Sequence, residues 1–99
     1  MKNFRDLKNS NTPLLVDFWA DWCQPCKMMQ PILKEVKHHF GDKVNIIKVN
    51  VDKNQVAAGR YMIQNIPTIM IFKNGNTVFK QAGVMQSASL INELNKHIL

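Results

Sequence analysis

The two cysteines of this 99-residue chain lie three positions apart in the segment WCQPC, Trp22 to Cys26. Two thiols at this spacing can form a redox-active disulfide, supply half of a metal site, or pack as small core residues. Disulfide exchange needs one sulfur stabilised as a thiolate and a second sulfur held close to it. The choice between these uses therefore depends on the elements that position the pair.

An apolar run precedes the motif and an amphipathic run follows it. Leu14 to Ala20 is apolar on both faces except at Asp17, which is typical of a strand covered on both sides. From Gln24 to Phe40 apolar residues recur at helical spacing, and Gly41 ends the pattern. Cys23 is therefore expected to cap this helix at the carboxyl end of a strand, where open α/β sheets place their sites.

This position predicts different roles for the two sulfurs. A thiolate at the N-cap accepts hydrogen bonds from first-turn amides, and the helix dipole favours its charge, so Cys23 is the expected nucleophile. Pro25 stiffens the loop and has no amide to leave unpaired, while Gln24 is expected to point to solvent. Cys26, one turn into the helix, is expected to be more buried and to attack the mixed disulfide that Cys23 forms.

The two other uses of the cysteines are disfavoured. A zinc site needs about four ligands, and the remaining soft candidates are His38, His39 and His97. The first two histidines fall at the far end of the same predicted helix, roughly 18 Å from the cysteines at ~1.5 Å per residue. We expect no metal. Inert core cysteines are common, but a strand end followed by a helix start, with a proline between the thiols, favours redox chemistry.

One charged residue interrupts each of two apolar strands. Burial of Asp17 is expected to raise its pKa, which suits a carboxylate that accepts and donates a proton for Cys26, through water. Lys48 lies in the second strand, Val44 to Asp52, and is the natural partner of Asp17. Alternatively, the Lys48 side chain simply extends to solvent, and the sequence does not decide between these two roles.

The remaining elements complete an α/β order. Asn74-Gly75 supplies the positive φ that a tight hairpin turn needs. The further expected elements are helices at Phe4 to Lys8, at Asn54 to Tyr61 and from Ser87 or Ser89 onward, and strands at Val44 to Asp52, Thr68 to Lys73 and Thr77 to Ala82. A right-handed strand-helix-strand unit followed by an antiparallel hairpin predicts a single domain over residues 1–99, with one mixed four-stranded sheet flanked by helices on both faces.

The composition excludes several classes of function. The net charge is +6, but the basic residues are scattered rather than gathered in a stripe, so we expect no nucleic-acid binding. No run approaches the roughly 20 apolar residues of a membrane span. No stretch resembles an export signal. We therefore expect a cytoplasmic protein that does not associate with membranes.

Three segments, VDFWADWCQPCK, IPT at Ile66 to Thr68 and FKNG, closely resemble the thioredoxin family from about Phe4 to Leu99. The resemblance implies a thioredoxin fold and a thiol-disulfide oxidoreductase that reduces protein disulfides and has no cofactor of its own. It also implies re-reduction by thioredoxin reductase, a flavoprotein that uses NADPH. The alternatives are a thiol oxidant or isomerase and a binding subunit without turnover; an uncharged Gln24 favours the reductase.

The resemblance also assigns site residues. It implies Cys23 as the attacking thiol, Cys26 as the resolving thiol, Asp17 as the buried acid and Lys48 as its neighbour. It implies a cis Pro67 facing the disulfide, with the Ile66 backbone pairing with a bound substrate strand. The expected substrate-contacting residues are Trp22, Gln24, Pro25, Ile66, Pro67, Gly83 and Val84.

Two departures from the family pattern affect these expectations. The dipeptide between the cysteines is Gln-Pro, where Gly-Pro is commonest. Family members usually carry one more strand before the first helix, and Met1 to Asn3 are too few residues to supply it. We therefore expect Val44 to Asp52 to be an exposed edge strand, in a monomer or, alternatively, in a dimer formed through that edge.

Overall fold

Helices and strands follow one another in the predicted α-β-α-β-α-β-β-α order. The protein was analysed as a computed structural model, which describes residues 3–98. The expectation that Met1 to Asn3 supply no strand therefore falls mostly outside the described residues. The elements are α1 (Phe4–Asn9), β1 (Leu14–Trp19), α2 (Gln24–Phe40), a 3-10 turn (Gly41–Lys43), β2 (Asn45–Asn50), α3 (Gln55–Arg60), β3 (Thr68–Lys73), β4 (Asn76–Ala82) and α4 (Ser87–Asn95).

The four strands form one mixed sheet in the order β2-β1-β3-β4. Strands β1 and β2 pair in parallel, whereas β3 pairs antiparallel with both β1 and β4. The parallel pair requires a crossover, which α2 provides, and the antiparallel pair β3–β4 needs only a tight turn. Asn74 and Gly75 both have positive φ (53° and 84°), as this turn demands. Within residues 3–98, β2 is an edge strand, as predicted.

Each face of the sheet carries its own hydrophobic cluster. Successive side chains of a strand point to opposite faces, so neighbouring residues of β1 enter different clusters. The cluster between the sheet and helices α2 and α4 contains Leu15, Met29, Leu33, Val36, Phe40, Val44, Ile69, Ile71, Met85, Leu90 and Leu94. The cluster on the α1 side contains Leu14, Val16, Phe18, Met70 and Phe72, with Phe4, Leu7 and Tyr61 packed against them. Helices therefore cover both faces.

The end of β2 and the cap of α4 differ from the sequence expectation, and several other boundaries differ by one residue. Strand β2 ends at Asn50 rather than Asp52, because the Asn50 side chain accepts hydrogen bonds from the backbone amides of Asp52 and Lys53 and turns the chain. Helix α4 is capped by Gln86, which makes no side-chain capping bond, and not by Ser87 or Ser89. In the described part of the chain, no helix is long and apolar enough to cross a membrane.

Candidate active site

The cysteine pair lies where β1 ends and α2 begins. Cys23 and Cys26 are joined by a disulfide bond, with their Cα atoms 5.3 Å apart. Cys23 is the N-cap of α2, and its Sγ accepts a hydrogen bond from the Cys26 amide at 3.2 Å. The helix continues through Pro31 to Phe40 as one element. In the reduced protein, the same amide and the positive end of the helix dipole stabilise a thiolate at Cys23.

Both sulfurs are largely covered, and they differ in what surrounds them. The exposed fraction is 4% for Cys23 and 1% for Cys26, so Cys26 is the more buried by a narrow margin. Ala20, Trp19, Val51 and Ile66 pack around the pair. These contacts hold the disulfide in an apolar setting, where charged intermediates depend on the few polar groups nearby.

The loop before β3 places backbone next to the outer sulfur. Cys23 Sγ lies 3.7 Å from the carbonyl oxygen of Ile66. The Ile66–Pro67 peptide bond is cis, as expected from the family resemblance. The Pro67 carbonyl accepts a hydrogen bond from the Gly83 amide at 2.8 Å, which brings the turn at Gly83 and Val84 to the same loop. Gly83 has φ of 97°, a conformation that glycine adopts without strain.

Exposed side chains surround this opening. Trp22 is 70% exposed, and Gln24 and Pro25 are also exposed, so Gln24 faces solvent as expected. The Trp22 ring is held by a hydrogen bond from its Nε1 to Asp52 Oδ2 at 3.0 Å. The sequence interpretation did not identify Asp52. A usable signal existed: Trp22 and Asp52 follow two parallel strands, whose carboxyl ends meet at one edge of the sheet.

Asp17 lies in the middle of β1, the strand that ends just before the cysteine pair. Its side chain is fully buried, and neither carboxylate oxygen has a hydrogen-bond partner among residues 3–98. Burial raises the pKa of Asp17 to about 6, and the positive charge of Lys48 opposes that rise. The group therefore titrates close to neutral pH, where a proton acceptor and donor is useful.

Lys48 is opposite Asp17 in the register of β1 and β2, as the sequence suggested. The Lys48 side chain is nevertheless exposed, and its ammonium donates a hydrogen bond to Gln30 Oε1 of α2. The charge of Lys48 therefore acts on Asp17 while its side chain extends to solvent. Gln30 was not identified from the sequence.

A cavity of about 220 Å³ opens behind the disulfide, on the β2 side. Its lining residues are Trp19, Ala20, Asp21, Cys26, Lys27, Gln30 and Lys48. Cys26 lines this cavity and Cys23 does not, so the cavity offers space for water on the Cys26 side of the pair. In the described residues, no group of three or more His, Cys, Asp or Glu side chains lies close enough to hold a metal ion.

Comparison with known proteins identifies the family. The sequence model of the family described as Thioredoxin matches residues 1–96. Thioredoxin from Haemophilus influenzae is 46% identical over 90 residues, covering 91% of this chain and 84% of that protein. Thioredoxin 1 from Synechococcus elongatus is 43% identical over 94 residues, covering 95% of this chain and 88% of that protein. Among solved structures, thioredoxin from Malassezia sympodialis superposes with a TM-score of 0.85 at 33% identity, covering 95% of this chain and 82% of the other.

These findings confirm the fold and the redox chemistry predicted from the sequence. They also confirm the predicted direction of the reaction, which is the reduction of protein disulfides. The Cys-Gln-Pro-Cys pair, held oxidised at a strand end and a helix start, is a dithiol–disulfide couple. It acts on protein disulfides as a thiol-disulfide oxidoreductase, in the sense of a protein disulfide reductase. The chain belongs to the thioredoxin family.

Proposed function

We propose that the two cysteines divide protein disulfide reduction between them in two steps. The Cys23 thiolate attacks one sulfur of a substrate disulfide, the substrate S–S bond breaks, and the departing substrate thiolate takes a proton. The Cys26 thiolate then attacks Cys23 Sγ, which breaks the mixed disulfide and releases the second substrate thiol. Two electrons pass to the substrate, and Cys23 and Cys26 remain joined.

The observation that carries this assignment is the position of Cys23 as helix N-cap. Its Sγ accepts the Cys26 amide hydrogen bond at 3.2 Å, and it retains more exposure than Cys26. Hydrogen bonding and the helix dipole both favour the thiolate, which is the attacking species. Cys26, at 1% exposure, is the less exposed of the two and attacks after Cys23 carries the mixed disulfide.

Asp17 is proposed to receive the proton that Cys26 loses before the second step. An acid whose pKa lies near 6 is ionised at neutral pH, yet holds a proton strongly enough to exchange it. Transfer through water is supported by the cavity that Cys26 lines together with Lys48, the register partner of Asp17. Lys48 is proposed to set the proton affinity of Asp17 through its charge.

The substrate is proposed to dock on the outer side of the disulfide. The backbone of Ile66 pairs with an extended substrate segment, since the Pro67 carbonyl is already occupied by Gly83. The apolar surface around this backbone supplies side-chain contacts. The residues proposed to contact substrate are Trp22, Gln24, Pro25, Ile66, Pro67, Gly83 and Val84.

Four finer expectations accompany this mechanism. The electron donor is proposed to be thioredoxin reductase with NADPH. The protein is proposed to act in the cytoplasm, and residues 1–99 are proposed to form one thioredoxin domain. We expect a monomer, because the exposed Lys48 lies in the middle of the β2 edge and opposes pairing with a second copy. Light scattering at high protein concentration tests this, and a mass twice that of the chain would show an edge-strand dimer.

Insulin reduction by dithiothreitol tests the cysteine assignment. The wild-type protein should accelerate insulin precipitation, and Cys23→Ser should match the rate of dithiothreitol alone. Equal rates for the two proteins would overturn the assignment. Replacing dithiothreitol by NADPH and thioredoxin reductase then tests the electron donor. The control is the same assay without this protein.

A further inference from the structure

Gln30 is a polar residue on the inward face of α2. It follows Cys26 by four residues and precedes Leu33 by three, and both of these neighbours are buried. Residues at these spacings share one helical face, so an apolar side chain would ordinarily fill the position. Gln30 is instead half-buried, and its Oε1 accepts a hydrogen bond from the Lys48 ammonium across the gap to β2.

The contact between Gln30 and Lys48 lies between two cavities. Both residues line the cavity of about 220 Å³ that reaches Cys26. Both also line a second cavity, of about 200 Å³, whose other lining residues are Leu33, Lys34, Lys37 and Ile46. A side-chain pair shared by two adjoining cavities sits at their junction. It therefore occupies the side of the active-site cavity that borders the β2 edge.

The partner of Lys48 decides what its charge does to Asp17. Asp17 and Lys48 are opposite each other in the β1–β2 register, and β3 presents only the apolar Ile69 opposite Asp17. The Lys48 ammonium nevertheless bonds to Gln30, and the Asp17 oxygens have no partner in the described residues. Besides Lys48, the titratable residues that line the cavity are Cys26, Asp21 and Lys27.

We propose that Gln30 is a positioning residue, which holds the Lys48 ammonium at the cavity wall and away from a contact ion pair with Asp17. The inference rests on the proton role proposed above for Asp17. A cation in contact with a carboxylate lowers its pKa strongly, whereas a cation held at a distance lowers it weakly. By keeping Lys48 at a distance, Gln30 leaves Asp17 able to take up and return a proton near neutral pH.

An NMR titration of the Asp17 carboxyl carbon tests the inference directly. In Gln30→Ala, the Lys48 ammonium loses its acceptor and moves to Asp17, so the midpoint of the Asp17 titration should fall by about 0.5–1 pH unit. This shift is smaller than a buried ion pair gives, because Lys48 is exposed. Gln30→Met preserves the length and apolar bulk of the side chain and removes only the acceptor, so it should give the same shift. An unchanged or raised midpoint in both variants would overturn the inference.

A double-mutant cycle separates positioning from a direct effect of residue 30. In a Lys48→Met background, Gln30→Ala and Gln30→Met should no longer move the Asp17 midpoint, because the cation that Gln30 holds is absent. A shift of the same size in that background would show that Gln30 acts on Asp17 without Lys48, and would overturn the proposal.

The carboxyl titration does not depend on turnover, so the two proposals fail separately. If Gln30→Ala shifts the Asp17 midpoint and the pH profile of insulin reduction shifts with it, both proposals are supported. If the midpoint shifts and the profile does not follow, the positioning role of Gln30 is supported and the proton role of Asp17 is overturned.

Discussion

The two ends of the Cys23–Cys26 disulfide are three residues apart and face opposite environments. Beside Cys23 lie backbone carbonyls, the cis peptide bond before Pro67 and the exposed ring of Trp22. Behind Cys26 lies the cavity of about 220 Å³. The strand that leads to the site carries the buried Asp17, whose carboxylate has no hydrogen-bond partner among residues 3–98. The two cysteines differ little in exposure, so the proposed division of the chemistry between them depends on the surrounding groups and not on accessibility alone.

The difference follows from the geometry of a helix start. An N-cap residue lies outside the helix and meets the loops that follow neighbouring strands, whereas a residue three positions later faces the sheet beneath the first turn. The outer end is therefore built from backbone and exposed side chains, which suit a substrate segment. The inner end is built from strand residues, which can hold a titratable group away from water.

The largest expected effect comes from removing one sulfur at a time. Cys23→Ser and Cys26→Ser should both reduce insulin turnover to the rate of dithiothreitol alone, because each lacks one of the two exchange steps. Mass spectrometry after addition of a disulfide substrate should separate the ends: Cys26→Ser retains the substrate as a mixed disulfide, and Cys23→Ser does not. Retention by Cys23→Ser instead would reverse the two roles.

Asp17→Asn should slow the inner step and leave the outer one intact. General acid–base groups contribute roughly 100-fold or more to rate, so turnover near neutral pH should fall by about 100-fold or more. The wild-type rate should decline as pH falls through about 6, where Asp17 becomes protonated, and the variant should lack this decline. An identical pH profile in the two proteins would remove Asp17 from the proton path. Formation of the mixed disulfide in a Cys26→Ser background should be unaffected.

The same substitution should make the protein more stable at neutral pH. The pKa of Asp17 is raised from 3.8 to about 6 in the folded protein, so the buried charge opposes folding by about 3 kcal/mol above pH 6. Below about pH 4 the carboxyl is neutral in both the folded and unfolded states, and this term vanishes. Urea unfolding of Asp17→Asn and wild type should thus differ most near pH 7 and converge near pH 4. A constant difference across that range would contradict the raised pKa.

The outer end of the site was largely predictable from the sequence, for a physical reason. The cis bond at Pro67 and the contact residues Ile66, Gly83 and Val84 were implied by the family resemblance. The cysteine pair is instead placed by local signals: a strand pattern that ends before Cys23 and a helix pattern that begins after it. Such signals act over a few residues and depend little on how the rest of the chain packs. They also predicted the order of the elements along the chain and the turn at Asn74-Gly75.

The inner end was predictable only in part, because its contacts join elements distant in sequence. The charge within each apolar strand indicated Asp17 and Lys48, but the bond from Lys48 to Gln30 depends on how α2 crosses the edge strand. The bond from Trp22 to Asp52 likewise requires the register of two parallel strands. Strand β2 ends at Asn50, before its expected end, because the Asn50 side chain bonds to the backbone and turns the chain. This turn outweighs the strand preference of Val51.

The smallest expected effect concerns the outer end, where Asp52 fixes the Trp22 ring. Asp52→Ala removes an exposed hydrogen bond worth about 0.5–1 kcal/mol, so the KM for insulin should rise about 2- to 5-fold while the maximal rate is retained. Asp52→Asn keeps an acceptor oxygen and should lie closer to wild type. A small aromatic disulfide, which does not span the surface around Trp22, should be reduced at the same rate by all three proteins. If that small substrate were slowed as much as insulin, Asp52 would be acting on the sulfurs themselves, and the separation between a docking end and a proton-transfer end would no longer hold.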